Sequence, residues 1–359
     1  MEKLLYPDLD FDAVRALLAT DDAGAIESLF QQAMHTRNDV IGNKVYLRGL
    51  IEYSNRCAKN CYYCGIRAGN KKAYRYEVSD EEVLKAAEYA WRKNYGSIVV
   101  QSGERSSKKF TDQISTLIKK IHIQTQGQLR ITLSCGEQSE EVYREWYELG
   151  AKRYLLRIEA SNPDLYLKLH PNNSKHSYQR RLQAISDLVK IGYQAGTGVM
   201  IGLPFQTIDD LAGDLFFIKN SGVHMVGMGP YIEHAETPLF KYKNLLLSPE
   251  KRVQLSLKMI ALLRLMRPRI NIASTTALQT LDPRGREKGL MAGANVVMPN
   301  ITPIDYKKEY NLYEGKPGLE DQPDQSGQLI EQIIESAGCV LALGDWGDYR
   351  FYNDQHSGR

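Results

Sequence analysis

The sequence predicts an α/β fold in which eight parallel strands close into a barrel. Eight short runs rich in β-branched residues alternate with longer helical patterns from about residue 45 to residue 300. The connections between them are short, and several helical patterns have recognisable first and last residues. Eight strand-and-helix units in succession favour right-handed crossovers and a closed barrel, with an open doubly wound sheet as the alternative.

The predicted strands share an apolar, β-branched composition that is typical of strands buried on both faces. They are Val45–Tyr53, Ser97–Gln101, Leu129–Ser134, Arg153–Glu159, Gln194–Ile201, Met225–Gly229, Asn271–Thr275 and Asn295–Met298. Between them, Ser79 and Glu82 form the capping-box pattern that opens a helix over Asp80–Asn94. Two further helices, Ser139–Leu149 and Ile208–Asn220, end close to glycines. This pattern predicts a complete (βα)8 TIM barrel.

The chain divides into three predicted parts. Residues 1–44 are an N-terminal helical segment, with helices near Phe11–Leu18 and Ala23–Ala33. Residues 45–300 form the barrel. Residues 301–359 form a C-terminal extension packed on the barrel, with one helical stretch at Gln328–Ala337.

Composition excludes several classes of protein. The 359 residues are 43% hydrophobic and 25% charged, with a net charge of +3 and no basic block, which gives no support for nucleic acid or membrane binding. The first ten residues, MEKLLYPDLD, contain acids and a proline where a signal peptide needs an apolar run. No stretch approaches the roughly 20 apolar residues that cross a bilayer. We therefore expect a cytoplasmic protein.

Three of the five cysteines follow the first predicted strand as Cys57, Cys61 and Cys64, with C-x3-C-x2-C spacing. Clustered thiols in a reducing compartment bind metal more often than they form disulfides. A [4Fe–4S] cube takes one thiolate per iron, so three cysteines leave one iron open to a small molecule. S-adenosylmethionine (SAM) can chelate that iron through its amino and carboxylate groups. The alternative is a structural zinc site, which needs a fourth ligand that the loop does not contain.

With Tyr63 before its last cysteine, the loop resembles that of the radical SAM superfamily. Across nearly the whole chain, the sequence is also similar to the HydE family of [FeFe]-hydrogenase maturases. The segments that carry this resemblance are EYSN (52–55), CYYCGIR (61–67), VVQSGE (99–104), YLLRIEASNP (154–163), MIGLPFQT (200–207), MGPYIEHAETPL (228–239) and ANVVMPNITP (294–303). The resemblance implies a barrel of the radical SAM type, with one [4Fe–4S] cluster and SAM as cofactors.

Residues at the C-terminal ends of barrel strands face the active site, which makes the strand ends the candidate cofactor contacts. Glu104 is a candidate acceptor for the SAM ammonium group. Arg157 and Glu159 share a strand face by period two, either as SAM contacts or as an internal ion pair. By resemblance, Arg181 contacts the SAM carboxylate, with Arg180 as the alternative. The further predicted cofactor contacts are Tyr63, Gln101, Ser102, Gly103 and Ser134.

Five residues are predicted to contact the substrate. Thr132 lies on the same strand face as Ser134, and its hydroxyl either binds ligand or satisfies the backbone. By resemblance, Thr275 and Thr276 hold a polar substrate, and Tyr310 and Tyr313 close over the cavity. Together with the three loop cysteines, Glu159 completes the predicted catalytic set.

The resemblance implies reductive cleavage of SAM to a 5′-deoxyadenosyl radical that acts on an iron complex carrying cysteine, CO and cyanide. The product is a precursor of the di-iron subsite of the hydrogenase H-cluster, and the implied partners are the maturases HydG and HydF and a low-potential electron donor. The stretch Pro317–Gln328 lacks the second group of cysteines that some family members carry, so one cluster per chain is expected.

Three alternatives remain open from the residues alone. One is a radical SAM mutase or sulfur-insertion enzyme of the methylornithine synthase or biotin synthase type. Another is an iron–sulfur carrier or electron-transfer protein, which has four cysteine ligands and no need for Gln101–Glu104 or Glu159. The third is a zinc-stabilised binding module.

Overall fold

The computed structural model describes residues 9–349. Its strands, in chain order, are β1 (Lys44–Ser54), β2 (Ser97–Ser102), β3 (Arg130–Ser134), β4 (Arg153–Leu155), β5 (Gln194–Thr197), β6 (Met200–Ile201), β7 (Met225–Gly227), β8 (Gly229–Pro230), β9 (Asn271–Ala273), β10 (Val296–Val297) and β11 (Val340–Leu341). Eight of them pair in the parallel order β1-β2-β3-β4-β5-β7-β9-β10, and β10 pairs back to β1. The predicted closed barrel is confirmed.

Helices surround this barrel. They are α1 (Phe11–Ala19), α2 (Ala23–Ile41), α3 (Asp80–Arg92), α4 (Lys108–Gln124), α5 (Glu140–Glu148), α6 (Pro163–Leu169), α7 (Tyr178–Ile191), α8 (Ile208–Asn220), α9 (Pro249–Met266), α10 (Thr276–Leu281), α11 (Gly285–Met291), α12 (Ile304–Lys307) and α13 (Pro323–Ser336). Two 3-10 helices cover Ser174–His176 and Pro238–Leu245. In α3 the Ser79–Glu82 capping box is formed. No helix within residues 9–349 is long and apolar enough to cross a membrane.

The last five barrel strands are shorter or more interrupted than their apolar patterns predict. The fourth ends at Leu155, and the fifth is interrupted between Thr197 and Met200. The sixth is interrupted at Met228, the seventh ends at Ala273, and the eighth covers only Val296–Val297. Beyond the end of the fourth strand, the Arg157 guanidinium donates to the carbonyls of Val199, at 2.9 Å, and Gly227, a long-range contact that sequence periodicity does not reveal.

Two helix boundaries differ from the sequence prediction. The second helix runs to Ile41 rather than Ala33 because Thr36, Arg37 and Ile41 are buried. Arg37 fixes this extension by donating to the Leu290 carbonyl at 2.7 Å. The last helix begins at Pro323, five residues earlier than predicted, behind a capping box that Gln322 forms with Gln325.

The C-terminal residues cross the end of the barrel where the strands begin. The β11 strand pairs with the start of β1, and Asp348 binds Arg130 at 2.7 Å and also Arg153. The Gly347 carbonyl accepts from Asn271 at 3.0 Å. This end of the barrel is therefore covered, and the opposite end is the one that carries the cysteine loop.

Candidate active site

The loop after β1 holds the three clustered cysteines, and Arg75 determines its shape. The Arg75 guanidinium donates to four loop carbonyls, those of Asn55, Ile66, Arg67 and Asn70, at 2.7–3.0 Å. Charge-assisted bonds of this kind give a fixed conformation to a segment that has no regular secondary structure. The loop is therefore preorganised by one side chain.

Cys57, Cys61 and Cys64 are free thiols, each partly exposed at the surface of this loop. The Glu104 N–H donates to the Cys57 sulfur at 3.3 Å, which ties the loop to the end of β2. Burial raises the pKa of all three thiols, to about 12 for Cys61, and the neighbouring thiols raise the pKa of Cys61 and Cys64 further. Three such thiols become thiolates only where positive charge is bound to them.

The segment after β2 lies directly beneath the cysteine loop. Gly103 donates to the Ser54 carbonyl at 2.7 Å, and a Cβ at this position would lie 2.6 Å from the Arg56 carbonyl oxygen and 2.9 Å from the Cys57 Cβ. The backbone of the cysteine loop therefore requires glycine at this position. Beside it, Ser102 bonds the Gly103 carbonyl at 2.8 Å.

Four buried charged side chains form one network next to the loop. Lys59 lies 2.9 Å from Glu104 and 3.0 Å from Glu137, and Arg181 lies 3.2 Å and 2.6 Å from the same two carboxylates. Arg181 also donates to the Arg157 carbonyl at 2.9 Å. Two cations thus neutralise two anions, which is the condition under which buried charges are tolerated.

The two carboxylates of this network differ in their environment. Burial raises the pKa of Glu104 in spite of Arg181 and Lys59. Burial acts on Glu137 as well, but Arg181 and Lys59 hold the pKa of Glu137 below its ordinary value. Glu104 is therefore the carboxylate that a further cationic group would stabilise.

The two arginines that the sequence left open are separated by the fold. Arg181 points into the charge network, whereas Arg180 is exposed and donates to the Gln138 carbonyl at 2.6 Å. Arg181 is the one that lies beside Glu104.

Arg157 and Glu159 form a bidentate ion pair at 2.9–3.0 Å. Glu159 adopts a φ of 69°, a left-handed conformation that costs a non-glycine residue energy and is held here by backbone bonds to Gly198 and Met200. The direction of the Glu159 carboxylate is thus set by this left-handed backbone and by Arg157. Strand alternation does not apply, because β4 ends at Leu155.

Tyr63 is positioned by His170. The Tyr166 carbonyl lies 2.9 Å from His170 Nδ1, so this nitrogen carries the proton and Nε2 accepts from the Tyr63 hydroxyl at 3.2 Å. Burial lowers the pKa of His170 to about 3, which keeps the ring neutral. The His170 ring thus holds Tyr63, which lies between Cys61 and Cys64 in the chain.

The predicted substrate residues differ in their contacts. Thr132 lines a small internal cavity of about 10 Å³. The Thr132 and Thr275 hydroxyls are buried with no hydrogen-bond partner among residues 9–349. Thr276 instead accepts from Arg286 at 2.6 Å. A buried hydroxyl without a protein partner is available to hydrogen-bond a ligand.

Gln101 links the end of β2 to the C-terminal region. It donates to the hydroxyl of Tyr310 at 3.2 Å, and Tyr310 is 1% exposed. Tyr313 is partly buried, and burial raises its pKa to about 12. Ser134, paired in register with Gln101 across β2 and β3, completes this side of the site.

Sequence reasoning missed three residues of the site. Lys59 lies between Cys57 and Cys61, and the sequence does not indicate which carboxylates it binds. Glu137 follows the end of β3, so its position after a barrel strand was a usable signal. His170 had no signal, because only the fold brings it to Tyr63.

The geometry and the comparisons with known proteins agree. Residues 51–218 match the family model of the Radical SAM superfamily. Methylornithine synthase has the same fold, with a TM-score of 0.79 at 23% identity over 96% of this chain and 97% of that one. The FeFe-hydrogenase maturase HydG from Carboxydothermus hydrogenoformans matches with a TM-score of 0.77 at 22% identity over 95% and 78% of the two chains.

The sequence comparison is more specific. The chain is 41% identical, over 347 residues, to the [FeFe] hydrogenase maturase subunit HydE of Thermotoga maritima, and the match covers 97% of this chain and 96% of that relative. The protein is therefore a radical SAM enzyme, and its cofactors are a [4Fe–4S] cluster and SAM. It belongs to the HydE family.

Proposed function

We propose that this enzyme acts in [FeFe]-hydrogenase maturation, in assembly of the di-iron subsite of the H-cluster, on an iron complex that carries cysteine, CO and cyanide. The relative from Thermotoga maritima bears the name of such a maturase and matches along its whole length. The barrel interior supports the proposal, since it offers buried polar groups without protein partners. Proposed partners are HydG, HydF and a low-potential electron donor, and the proposed location is the cytoplasm.

We assign the cluster to Cys57, Cys61 and Cys64. Within residues 9–349, no three His, Cys, Asp or Glu side chains surround one point closely enough to hold a single metal ion. A cluster makes no such demand, because each thiolate binds a different iron atom. The observation that carries the assignment is a loop of three partly buried thiols held against the end of β2 by the Glu104 N–H.

The residues around the loop suit SAM. Glu104 gains from a cationic partner such as an ammonium group, Arg181 supports a carboxylate, and the Arg157–Glu159 pair presents a fixed anion at the strand ends. Further proposed contacts are Tyr63, Gln101, Ser102, Gly103 and Ser134. When bound, the cluster and SAM supply one-electron cleavage of a carbon–sulfur bond.

The proposed substrate contacts are Thr132, Thr275, Thr276, Tyr310 and Tyr313. The Thr132 and Thr275 hydroxyls have no hydrogen-bond partner among residues 9–349. The Tyr310 hydroxyl accepts from Gln101, which joins the C-terminal region to the end of β2. The proposed domains are an N-terminal helical segment (1–44), the barrel (45–300) and a C-terminal extension packed on the barrel (301–359). Residues 1–8 and 350–359 of these domains lie outside the described residues.

The first test is anaerobic iron–sulfur reconstitution, reduction with dithionite in the presence of SAM, and measurement of 5′-deoxyadenosine and iron. We expect Cys61→Ala to lose the nucleoside product and most of the iron. Cys135→Ala is the matched control, because Cys135 is a buried free thiol outside the loop. Wild-type product from Cys61→Ala, or equal loss from both variants, would overturn the ligand assignment.

The second test addresses the substrate. Incubation with the iron–cysteine–CO–cyanide complex is expected to consume it with SAM cleavage, while lysine and dethiobiotin leave no product. Conversion of lysine or dethiobiotin would instead place the chain with the mutase or sulfur-insertion enzymes of the same superfamily.

A further inference from the structure

One surface beside the cysteine loop combines exposed apolar side chains with lysines. It is formed by α6, the turn before α8, and the 3-10 helix Pro238–Leu245 with the residues that follow it. We call it the lysine patch. Its members are Leu167, Lys168, Phe205, Lys241, Tyr242, Lys243, Leu245 and Leu247.

The apolar part of the lysine patch is exposed to solvent. Leu245 is 57% exposed, Leu167 49%, Leu247 47% and Phe205 37%. Phe205 and Tyr242 contact each other edge to face, with ring centroids 4.7 Å apart. The elements that carry these side chains pack together through the buried Leu169, Leu203 and Leu239. Exposed apolar side chains on adjoining elements are typical of surfaces that bind another protein.

The lysines of the patch lack acidic partners. Lys168 lies over the Phe205 ring, and Lys241 and Lys243 lie over neighbouring rings, at 4.7–5.4 Å from the ring centroids. In the part of the chain that the structure describes, no carboxylate lies within 4.0 Å of these three ammonium groups. The three lysines therefore present positive charge beside the aromatic pair.

Phe205 is held in a strained conformation. Its φ is 70°, in the left-handed region that bulky residues rarely adopt. The turn is tied by Gln206, whose side chain accepts from the N–H groups of Gly202 at 2.7 Å and Leu203 at 3.2 Å. This conformation places the half-exposed Phe205 ring against Tyr242 and Lys168, and such backbone outliers concentrate at functional sites.

The lysine patch is joined directly to the cysteine loop. The Tyr62 N–H donates to the Leu169 carbonyl at the end of α6, at 2.9 Å, and the Tyr62 carbonyl accepts from Leu239 of the 3-10 helix, at 3.0 Å. Tyr62 follows Cys61 in the chain. The helix α6 and the 3-10 helix are thus each hydrogen-bonded to Tyr62, the residue next to Cys61, which we assign to the cluster.

We propose that the lysine patch is the docking surface for a small electron-donor protein with an acidic surface. This inference rests on the proposed function, which requires one electron from outside the chain. One electron leaves the reduced cofactor of the donor and enters the [4Fe–4S] cluster, so the donor is oxidised and the cluster is reduced by one electron. The lysines attract the acidic donor, and the exposed rings and leucines form the desolvated centre of the contact.

The test compares two reductants on the same variants. The variant Lys168→Glu with Lys241→Glu and Lys243→Glu is assayed for 5′-deoxyadenosine with dithionite and with a reduced flavodoxin of acidic surface. We expect the flavodoxin-driven rate at low salt to fall by about tenfold or more, because charge reversal removes the steering field. The dithionite-driven rate is expected to match wild type, because dithionite needs no protein surface.

The matched control reverses three other exposed lysines, Lys119, Lys190 and Lys219, which lie on α4, α7 and α8. It carries the same change in net charge, and we expect wild-type rates with both reductants. An equal loss of flavodoxin-driven rate in the control would show that only net charge matters and would overturn the proposal.

Two other outcomes bear on the proposal. Unchanged flavodoxin-driven turnover in the patch variant refutes it, as does a wild-type dimer that the patch variant breaks, since the surface then belongs to a second copy of the chain. Absence of product from wild type with dithionite contradicts the proposed function itself, and so is distinguishable from failure at the patch. Loss of flavodoxin-driven rate in Phe205→Ala, with dithionite turnover intact, supports the aromatic centre of the contact.

Discussion

Replacing Lys59 with methionine removes one of the two cations that neutralise Glu104 and Glu137. The lysine side chain is 9% exposed and lies 2.9 Å and 3.0 Å from the two carboxylates. Loss of one partner from a buried ion pair costs about 3–5 kcal/mol, because the remaining charge stays buried. Arg181 still binds both carboxylates here. We therefore expect the free energy of unfolding to fall by about 2–4 kcal/mol.

The assay is urea unfolding of the anaerobically purified, cluster-free protein, followed by circular dichroism. Lys72→Met is the matched control, since Lys72 lies in the same loop and pairs with Glu236 at 2.8 Å but is 76% exposed. Exposed pairs contribute about 0–1 kcal/mol, so the control should lose little stability. If Lys59→Met loses no more stability than Lys72→Met, the reasoning from burial is refuted.

The pH dependence provides a second check on the same variant. In the wild type, Arg181 and Lys59 hold the pKa of Glu137 below its ordinary value of 4.5, although burial opposes them. A carboxylate with a lowered folded-state pKa stabilises the protein above its unfolded pKa and loses that contribution as the pH falls through the folded-state pKa. The stability difference between wild type and Lys59→Met should therefore be full at pH 7 and narrow below about pH 4.5. A difference that stays constant across that range contradicts the assignment.

Two further predictions concern the loop support and the covered end of the barrel. Gly103→Ala places a Cβ 2.6 Å from the Arg56 carbonyl oxygen, so we expect lower iron incorporation on reconstitution, whereas Gly213→Ala, with nothing within 4 Å, should retain full iron content. Equal iron in both variants would show that the contact is unimportant. Arginine neighbours hold the pKa of Asp348 at about 2 in spite of burial. The shift from the ordinary 3.8 corresponds to about 2 kcal/mol that is present above about pH 4 and lost as the pH falls through about 2. Asp348→Asn should therefore lose about 2 kcal/mol of unfolding free energy at pH 7 and about half of that at pH 3, and a loss independent of pH would contradict this account.

The sequence was sufficient for the barrel and for the cysteine loop. Parallel barrel strands are buried on both faces, so they leave apolar runs that can be counted without a structure. The C-x3-C-x2-C spacing is local, and its three thiols follow the first strand in both the pattern and the fold. Strand ends of a barrel converge at one end, which is why Glu104 and Glu159 were expected near the loop before any contact was known, whereas Arg181 was expected there only by resemblance.

Only the tertiary structure decided which of these side chains bind each other. Lys59 and Glu137 are 78 residues apart, and Arg153 and Asp348 are 195 residues apart, so no local pattern pairs them. The guanidinium of Arg157 donates to the carbonyls of Val199 and Gly227, which lie 42 and 70 residues away in the sequence. Local propensity and spacing specify which elements form, because their interactions lie within a few residues. The partners of a buried charge and the surface beside the loop depend on the packing of distant segments, which only the folded chain brings together.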